Sequence, residues 1–129
     1  SCRSGQVLVR LHDKEDTPMQ YLLLIYENEK RFAKGYDPAE LKEYRGLGQE
    51  YASIIKGGAA LKPTNSATTV RLREGKRLTT DGPFAETKEQ LGGFYLVEAR
   101  DIDEAIAMAG KIPAARYGCI ELRPIMTFE

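Results

Sequence analysis

The densest set of reactive side chains in this chain lies between residues 81 and 95, which read DGPFAETKEQLGGFY. Asp81 could act as a general acid or base, since a carboxylate held beside a substrate can accept or donate a proton. Glu86 and Lys88 could contact a polar ligand from the same loop, and Tyr95 could project its hydroxyl into a pocket. Asp81 also has a structural alternative, because an Asp before Gly-Pro can fix a turn by accepting the N–H three residues on. The stretch therefore predicts either an acid–base site or a polar turn.

Few other side chains could do chemistry. Arg116 could present its guanidinium to the same pocket as Tyr95. Cys119 falls on a predicted strand, and without a neighbouring histidine it is better explained as a small buried side chain than as a nucleophile. The single histidine, His12, and the two distant cysteines leave only carboxylates without ligand spacing. The sequence therefore predicts no metal site and indicates no cofactor.

Charge and composition exclude several kinds of partner. Lys plus Arg and Asp plus Glu both total 19 among 129 residues, so the formal net charge is zero. No general attraction to nucleic acid or to an anionic membrane is expected, and the basic residues of 71–77 are read as a solvated face. The longest apolar run, residues 21–26, is too short to cross a bilayer. Two cysteines are too few for a disulfide framework and favour a reducing, cytoplasmic location.

The pattern of apolar residues predicts one domain over residues 19–129. Residues 1–18, with a short strand over 6–11, do not connect clearly to it and are expected to be a disordered or non-native extension.

Strands and helices are expected to alternate through this domain. A buried strand is predicted over 20–26, followed by a helix that Asp37 caps and that runs to Gly57-Gly58. A short strand over 59–61, a hairpin over 68–80 with a three-residue loop, and strands over 93–100 and 119–126 complete the sheet, with a second helix between the last two.

This order is the ferredoxin-like βαββαβ pattern of α+β proteins, with an inserted hairpin. Two helices cover one face of such a sheet and leave the other face apolar and open. Burial against a second copy is the usual remedy, so a symmetric homodimer is expected.

Several segments resemble the DGPF-domain or YCII-related family of small bacterial proteins. They are residues 19–26, 69–76, 80–95, 112–118 and 120–125. The resemblance implies a ferredoxin-like fold that dimerises as an α+β barrel, and a His–Asp acid–base pair in some members.

Carried onto this chain, the family's aspartate matches Asp81. The histidine expected on the first helix is absent from residues 37–56.

Two functional hypotheses stay open. The first is a homodimer that binds an unknown small molecule near Asp81, Tyr95 and Arg116, with acid–base chemistry of the lyase or dehalogenase kind. The second is a non-catalytic sensing or interaction module with a regulatory protein partner. The resemblance links this second hypothesis to extracytoplasmic-function sigma factors.

Overall fold

The computed structural model describes residues 18–128. In chain order its elements are β1 (Met19–Glu27), α1 (Pro38–Glu50), β2 (Ile55–Ala60), β3 (Thr68–Arg73), β4 (Lys76–Asp81), β5 (Gln90–Ala99), α2 (Ile102–Lys111) and β6 (Cys119–Pro124). Short 3₁₀ turns cover Glu29–Phe32, Thr64–Ser66 and Pro113–Arg116. Four strands form an antiparallel sheet in the order β2-β5-β1-β6, and β3 and β4 form a separate hairpin. The predicted ferredoxin-like α+β fold is confirmed.

The predicted extension lies almost entirely outside the described residues. Residues 1–17 are not described, and they include the predicted strand over 6–11 and His12. Within residues 18–128, no helix is both long enough and apolar enough to cross a membrane.

The core lies between the two helices and one face of the sheet. Tyr21, Leu23 and Ile25 alternate along β1 and are all buried, as the period of two of a strand requires. α1 adds Leu47 to this layer. The remaining buried apolar side chains come mainly from β5, α2 and the turn that follows α2, and they are Val97, Ala99, Ala105, Met108, Ala109, Ile112 and Ala114.

The first helix is shorter than the sequence pattern predicts. It ends at Glu50, and Gly57-Gly58 lie within β2 rather than ending the helix. Ile55 continues the apolar stripe of the helix, but its backbone pairs with Val97 of β5, so strand pairing replaces helical hydrogen bonds. A side chain at Gly58 would place its Cβ 2.6 Å from the Phe94 carbonyl oxygen, so glycine here permits close approach of two strands.

The hairpin between β3 and β4 also differs from the prediction of a three-residue loop. Arg73 pairs with Lys76, and the turn contains two residues, Glu74 and Gly75, with φ of 53° and 76°. Positive φ at both positions is the geometry whose twist matches that of the flanking strands. Leu72 therefore lies opposite Arg77, and apolar and basic side chains share each face.

The strand that carries Tyr95 begins earlier than predicted. β5 starts at Gln90, and its pairing with β1 shifts register between Ile25 and Tyr26. The shift leaves Gly92 without a partner in β1, and this extra residue forms a β-bulge. The last strand, β6, ends at Pro124, two residues short of the predicted end, although the Ile125 N–H still donates to the Gln20 carbonyl of β1 at 3.0 Å.

Candidate functional site

A cavity of about 450 Å³ lies between α1, the 3₁₀ turn at Glu29–Phe32 and the adjoining ends of β1, β2 and β5. This volume is in the range of small-molecule sites. Apolar side chains form most of its wall, among them Ile25, Phe32, Tyr36, Leu41, Leu61 and Leu91. The polar groups that reach it are Glu27, Glu29, Asp37, Glu40, Tyr44, Lys62, Gln90 and Tyr95.

Two buried carboxylates at one end of this cavity share a single guanidinium. Glu27 is 5% exposed and Glu40 is 8% exposed. Arg31 Nη2 donates to Glu27 Oε1 at 2.7 Å and to Glu40 Oε2 at 3.0 Å. A charge buried without such partners costs several kcal/mol, on the order of 3–5 when one member of a pair is removed. The three side chains therefore form one electrostatic unit.

Local structure explains why these carboxylates point inward. Glu27 is the last residue of β1 and occupies the next inward position after Ile25. Glu40 lies in the first turn of α1, which Asp37 caps by accepting the Ala39 N–H at 2.9 Å. An acidic side chain in this turn also interacts favourably with the positive end of the helix dipole.

Aromatic rings hold Arg31 in place. Its guanidinium lies 3.7 Å from the ring centroid of Tyr117 and 4.8 Å from that of Phe32. Burial lowers the pKa of Arg31, but the hydrogen bonds to Glu40 and Glu27 outweigh it and the pKa is raised. Arg31 is thus a fixed positive charge with restricted orientation.

Two tyrosines supply hydroxyl groups to the same wall. Burial raises the pKa of Tyr95, and it raises the pKa of Tyr44, where the charges of Glu27 and Glu40 add to the effect. Both hydroxyls stay protonated at neutral pH, so each can donate and accept a hydrogen bond.

Hydrogen bonds at the rim join three chain segments. The Glu29 carboxylate accepts the Thr64 N–H at 3.0 Å and the Thr64 hydroxyl at 2.6 Å. The Glu29 N–H donates to Gln90 Oε1 at 3.0 Å. The segment between β2 and β3 is thereby tied to the end of β1 and to the start of β5.

The five residues singled out by sequence do not lie together. Tyr95 lines the cavity, whereas Asp81, Glu86, Lys88 and Arg116 are absent from its wall. Asp81 ends β4 opposite Thr68 and is exposed, and Glu86 and Lys88 are exposed in the connection to β5. Arg116 is half-exposed and pairs with Glu43 at 2.8 Å.

The turn interpretation of Asp81 predicts a hydrogen bond to the Phe84 N–H. No hydrogen bond of the Asp81 carboxylate occurs within residues 18–128. The turn is held instead by the Gly82 N–H, which donates to the Ala67 carbonyl at 2.6 Å, and by the Thr69 hydroxyl, which donates to the Gly82 carbonyl at 2.8 Å.

The sequence reasoning missed Glu27, Arg31 and Glu40. The available signal was Glu27 itself, because it continues the inward alternation of Tyr21, Leu23 and Ile25, and a carboxylate at a buried position requires a partner.

No group of three or more His, Cys, Asp or Glu side chains within residues 18–128 has an arrangement that could hold a metal ion.

Comparison with known proteins relates this chain to a protein family. The model of the YCII-related domain matches residues 19–129. An uncharacterized protein of Rhizobium meliloti (strain 1021) is 36% identical, over an alignment that covers 86% of this chain and 95% of that protein. Both matches agree with the resemblance stated from the sequence motifs. This chain belongs to the YCII-related domain family.

Proposed function

We propose that this protein binds a small organic molecule in the cavity between α1 and the sheet. The observation that carries the proposal is a volume of about 450 Å³ with apolar walls and the buried Glu27–Arg31–Glu40 unit at one end. A few placed polar groups in an apolar cleft are typical of ligand sites. Ion-paired carboxylates beside such a space would set the orientation of a bound molecule.

Acid–base chemistry has two proposed locations. A molecule in the cavity would meet Glu27, whose carboxylate could accept a proton, with Tyr95 as a hydrogen-bonding group. A molecule at the base of the hairpin would meet Asp81, the residue that matches the family's aspartate. The cavity favours Glu27, because a reaction there is shielded from water and one at an exposed Asp81 is not.

We propose a homodimer formed through the open face of the sheet. Alternation along β1 and β5 places Leu22, Leu24, Phe94 and Leu96 on the face opposite the helices. Leu22 pairs with Leu96 and Leu24 with Phe94, so the four side chains form one apolar patch in the centre of the sheet. A contiguous patch of this kind is rarely left to solvent in a monomer.

Exposed apolar groups on the hairpin favour the second candidate function, a non-catalytic interaction module. Val70 is 60% exposed and Leu72 is 67% exposed on the hairpin, and Phe84, in the connection that follows it, is 79% exposed. These side chains would suit a protein surface, either a second copy or a regulatory partner. The cytoplasmic location stays a prediction.

A ligand screen by thermal shift tests the cavity proposal with a matched pair of variants. Ala60→Phe places a ring in the cavity wall, whereas Ala107→Phe places the same ring on the exposed side of α2. A compound present at about 100 times its Kd stabilises a folded protein by about 2.7 kcal/mol, which raises the melting temperature by several degrees. We expect this rise in the wild type and in Ala107→Phe, and its loss in Ala60→Phe.

Asp81→Asn distinguishes the two proposed locations in the same screen. A site in the cavity leaves the response of this variant unchanged. If Asp81→Asn abolishes the shift and Ala60→Phe keeps it, the ligand binds at the hairpin and the cavity proposal is wrong.

A further inference from the structure

The ion-paired unit at the end of the cavity carries unequal charge. Two carboxylates, Glu27 and Glu40, share the one guanidinium of Arg31. Both carboxylates are at least nine-tenths buried, so water screens them poorly and the unmatched negative charge is costly. A bound cation would remove this cost.

The hydrogen bonds locate the unmatched charge on one oxygen. Arg31 engages both oxygens of Glu40, at 3.0 and 3.3 Å, but only Oε1 of Glu27, at 2.7 and 3.2 Å. Within residues 18–128, Glu27 Oε2 accepts no hydrogen bond. In the same part of the chain, no fully buried side-chain oxygen or nitrogen lacks a partner. Because Oε2 has no partner, it is not one of these fully buried atoms and is therefore accessible. Glu27 lines the cavity, so a donor can reach Oε2 from the cavity.

The charged side chains around the cavity also favour a cationic ligand. Four carboxylates belong to its wall, those of Glu27, Glu29, Asp37 and Glu40, and they outnumber the two nearby cations, the ammonium of Lys62 and the guanidinium of Arg31. Glu29 accepts hydrogen bonds from Thr64, and Asp37 accepts one from the Ala39 N–H. These donors are neutral, so both carboxylates keep their negative charge. An anionic ligand would meet repulsion here, and a cationic one would meet attraction.

Building on the proposed function, we infer that the ligand is an organic amine, with a protonated amino group bound by Glu27 Oε2 and an apolar body against the cavity wall. A primary ammonium has three donors, and Tyr44 and Tyr95, whose hydroxyls can accept hydrogen bonds, belong to the same wall. Leu41, Leu61 and Leu91 supply apolar surface for the body.

The test uses three probes that share a phenyl ring on a two-carbon chain and carry a positive, a neutral and a negative head group: 2-phenylethylamine, 2-phenylethanol and phenylacetate. Each is titrated into ¹⁵N-labelled protein, and Kd is taken from the chemical-shift changes of cavity residues. We expect the amine to bind at least about tenfold more tightly than the alcohol, as a charge-assisted hydrogen bond predicts, and phenylacetate to bind least. Rising salt should weaken binding of the amine and leave that of the alcohol unchanged.

Glu27→Gln, which keeps the shape of the side chain and removes its charge, should sharply reduce the preference for the amine over the alcohol. The matched control is Glu121→Gln on the opposite face of the sheet, which should keep the preference. If Glu27→Gln does not fold, the salt dependence of amine binding in the wild type decides the question.

The outcomes separate this inference from the proposed function. Equal binding of the three probes, preference for phenylacetate, or no binding of the amine overturns the inference about charge. The proposed function fails only if the wider screen finds no compound whose stabilisation is lost in Ala60→Phe.

Discussion

At the scale of residues, the notable feature of this chain is a strand that ends with a buried carboxylate. Glu27 continues the inward alternation of β1, so its side chain enters the protein with the apolar ones. The fold accommodates it with Arg31 four residues on and Glu40 from α1. Stacking of Arg31 on Tyr117 links the unit to the segment before β6. One arginine thus joins three parts of the chain at the edge of the cavity.

Removal of Arg31 should destabilise the protein strongly. We expect Arg31→Met to lower the free energy of unfolding by about 3 kcal/mol, because two buried carboxylates would be left without a counter-charge. Urea denaturation measures the change. Arg116→Met is the matched control, since the Arg116–Glu43 pair is about half exposed on both sides and should contribute much less. Equal losses in the two variants would show that the buried unit stabilises no more than a surface ion pair.

At the scale of elements, close backbone contacts between strands hold the site together. Gly118 precedes β6, and a Cβ there would overlap the Tyr26 carbonyl oxygen and lie 2.9 Å from Glu27 Cα. The Gly118 N–H donates to the Ala114 carbonyl at 2.8 Å, which fixes the approach to the strand. The lack of a side chain at Gly118 therefore allows the chain to pass against the end of β1 where Glu27 begins the site.

Two Gly→Ala substitutions should have opposite effects on stability. Gly118→Ala should lower the free energy of unfolding by about 1–3 kcal/mol, because the atoms in its way are backbone and cannot turn aside. Gly46→Ala, inside α1 with no atom within 4 Å of the added Cβ, should raise it by about 0.5–1 kcal/mol through helix propensity. Chemical denaturation of the two variants measures both. A neutral Gly118→Ala would mean that the segment before β6 moves easily.

At the scale of the whole molecule, the two helices cover one face of the sheet. Within residues 18–128, no helix covers the other face. The covered face holds the core and the cavity, and the other carries Leu22, Leu24, Phe94 and Leu96. The hairpin β3–β4 forms its own two-stranded sheet and carries exposed apolar side chains, whereas those four are partly buried. Both features fit association with a second copy.

A charge in the centre of the open face should break the proposed dimer. We expect the wild type to sediment as a dimer and Leu96→Glu to sediment as a monomer, because the new carboxylate would be buried in the interface without a partner. Ile106→Glu is the control and should stay dimeric, because Ile106 lies on α2 and is 52% exposed. Sedimentation velocity at several concentrations measures the three proteins. A wild type that is monomeric at every concentration would contradict the dimer.

Sequence reasoning recovered the elements with strong local signals and missed those that depend on pairing. The apolar run of β1, the Asp37 cap and the second helix, between the last two strands, were correctly predicted, since each depends on neighbours along the chain. The predicted end of α1 and the predicted three-residue hairpin loop were wrong. Ile55 fits a helical stripe and a strand equally well, and only its pairing with Val97 decides between them. Leu72 lies opposite Arg77 because turn geometry set the register, against the hydrophobic pattern.

The sequence by itself determined the fold class and the family. The order of strands and helices and the long central motif both depend only on residues that are neighbours along the chain. Only the tertiary structure decided the location of the candidate site. Glu27 and Glu40 lie thirteen positions apart, and Tyr95 lies far beyond both, yet they line one cavity. Long-range strand pairing and the docking of α1 on the sheet bring them together. Asp81, which the motif made prominent, lies on the separate hairpin.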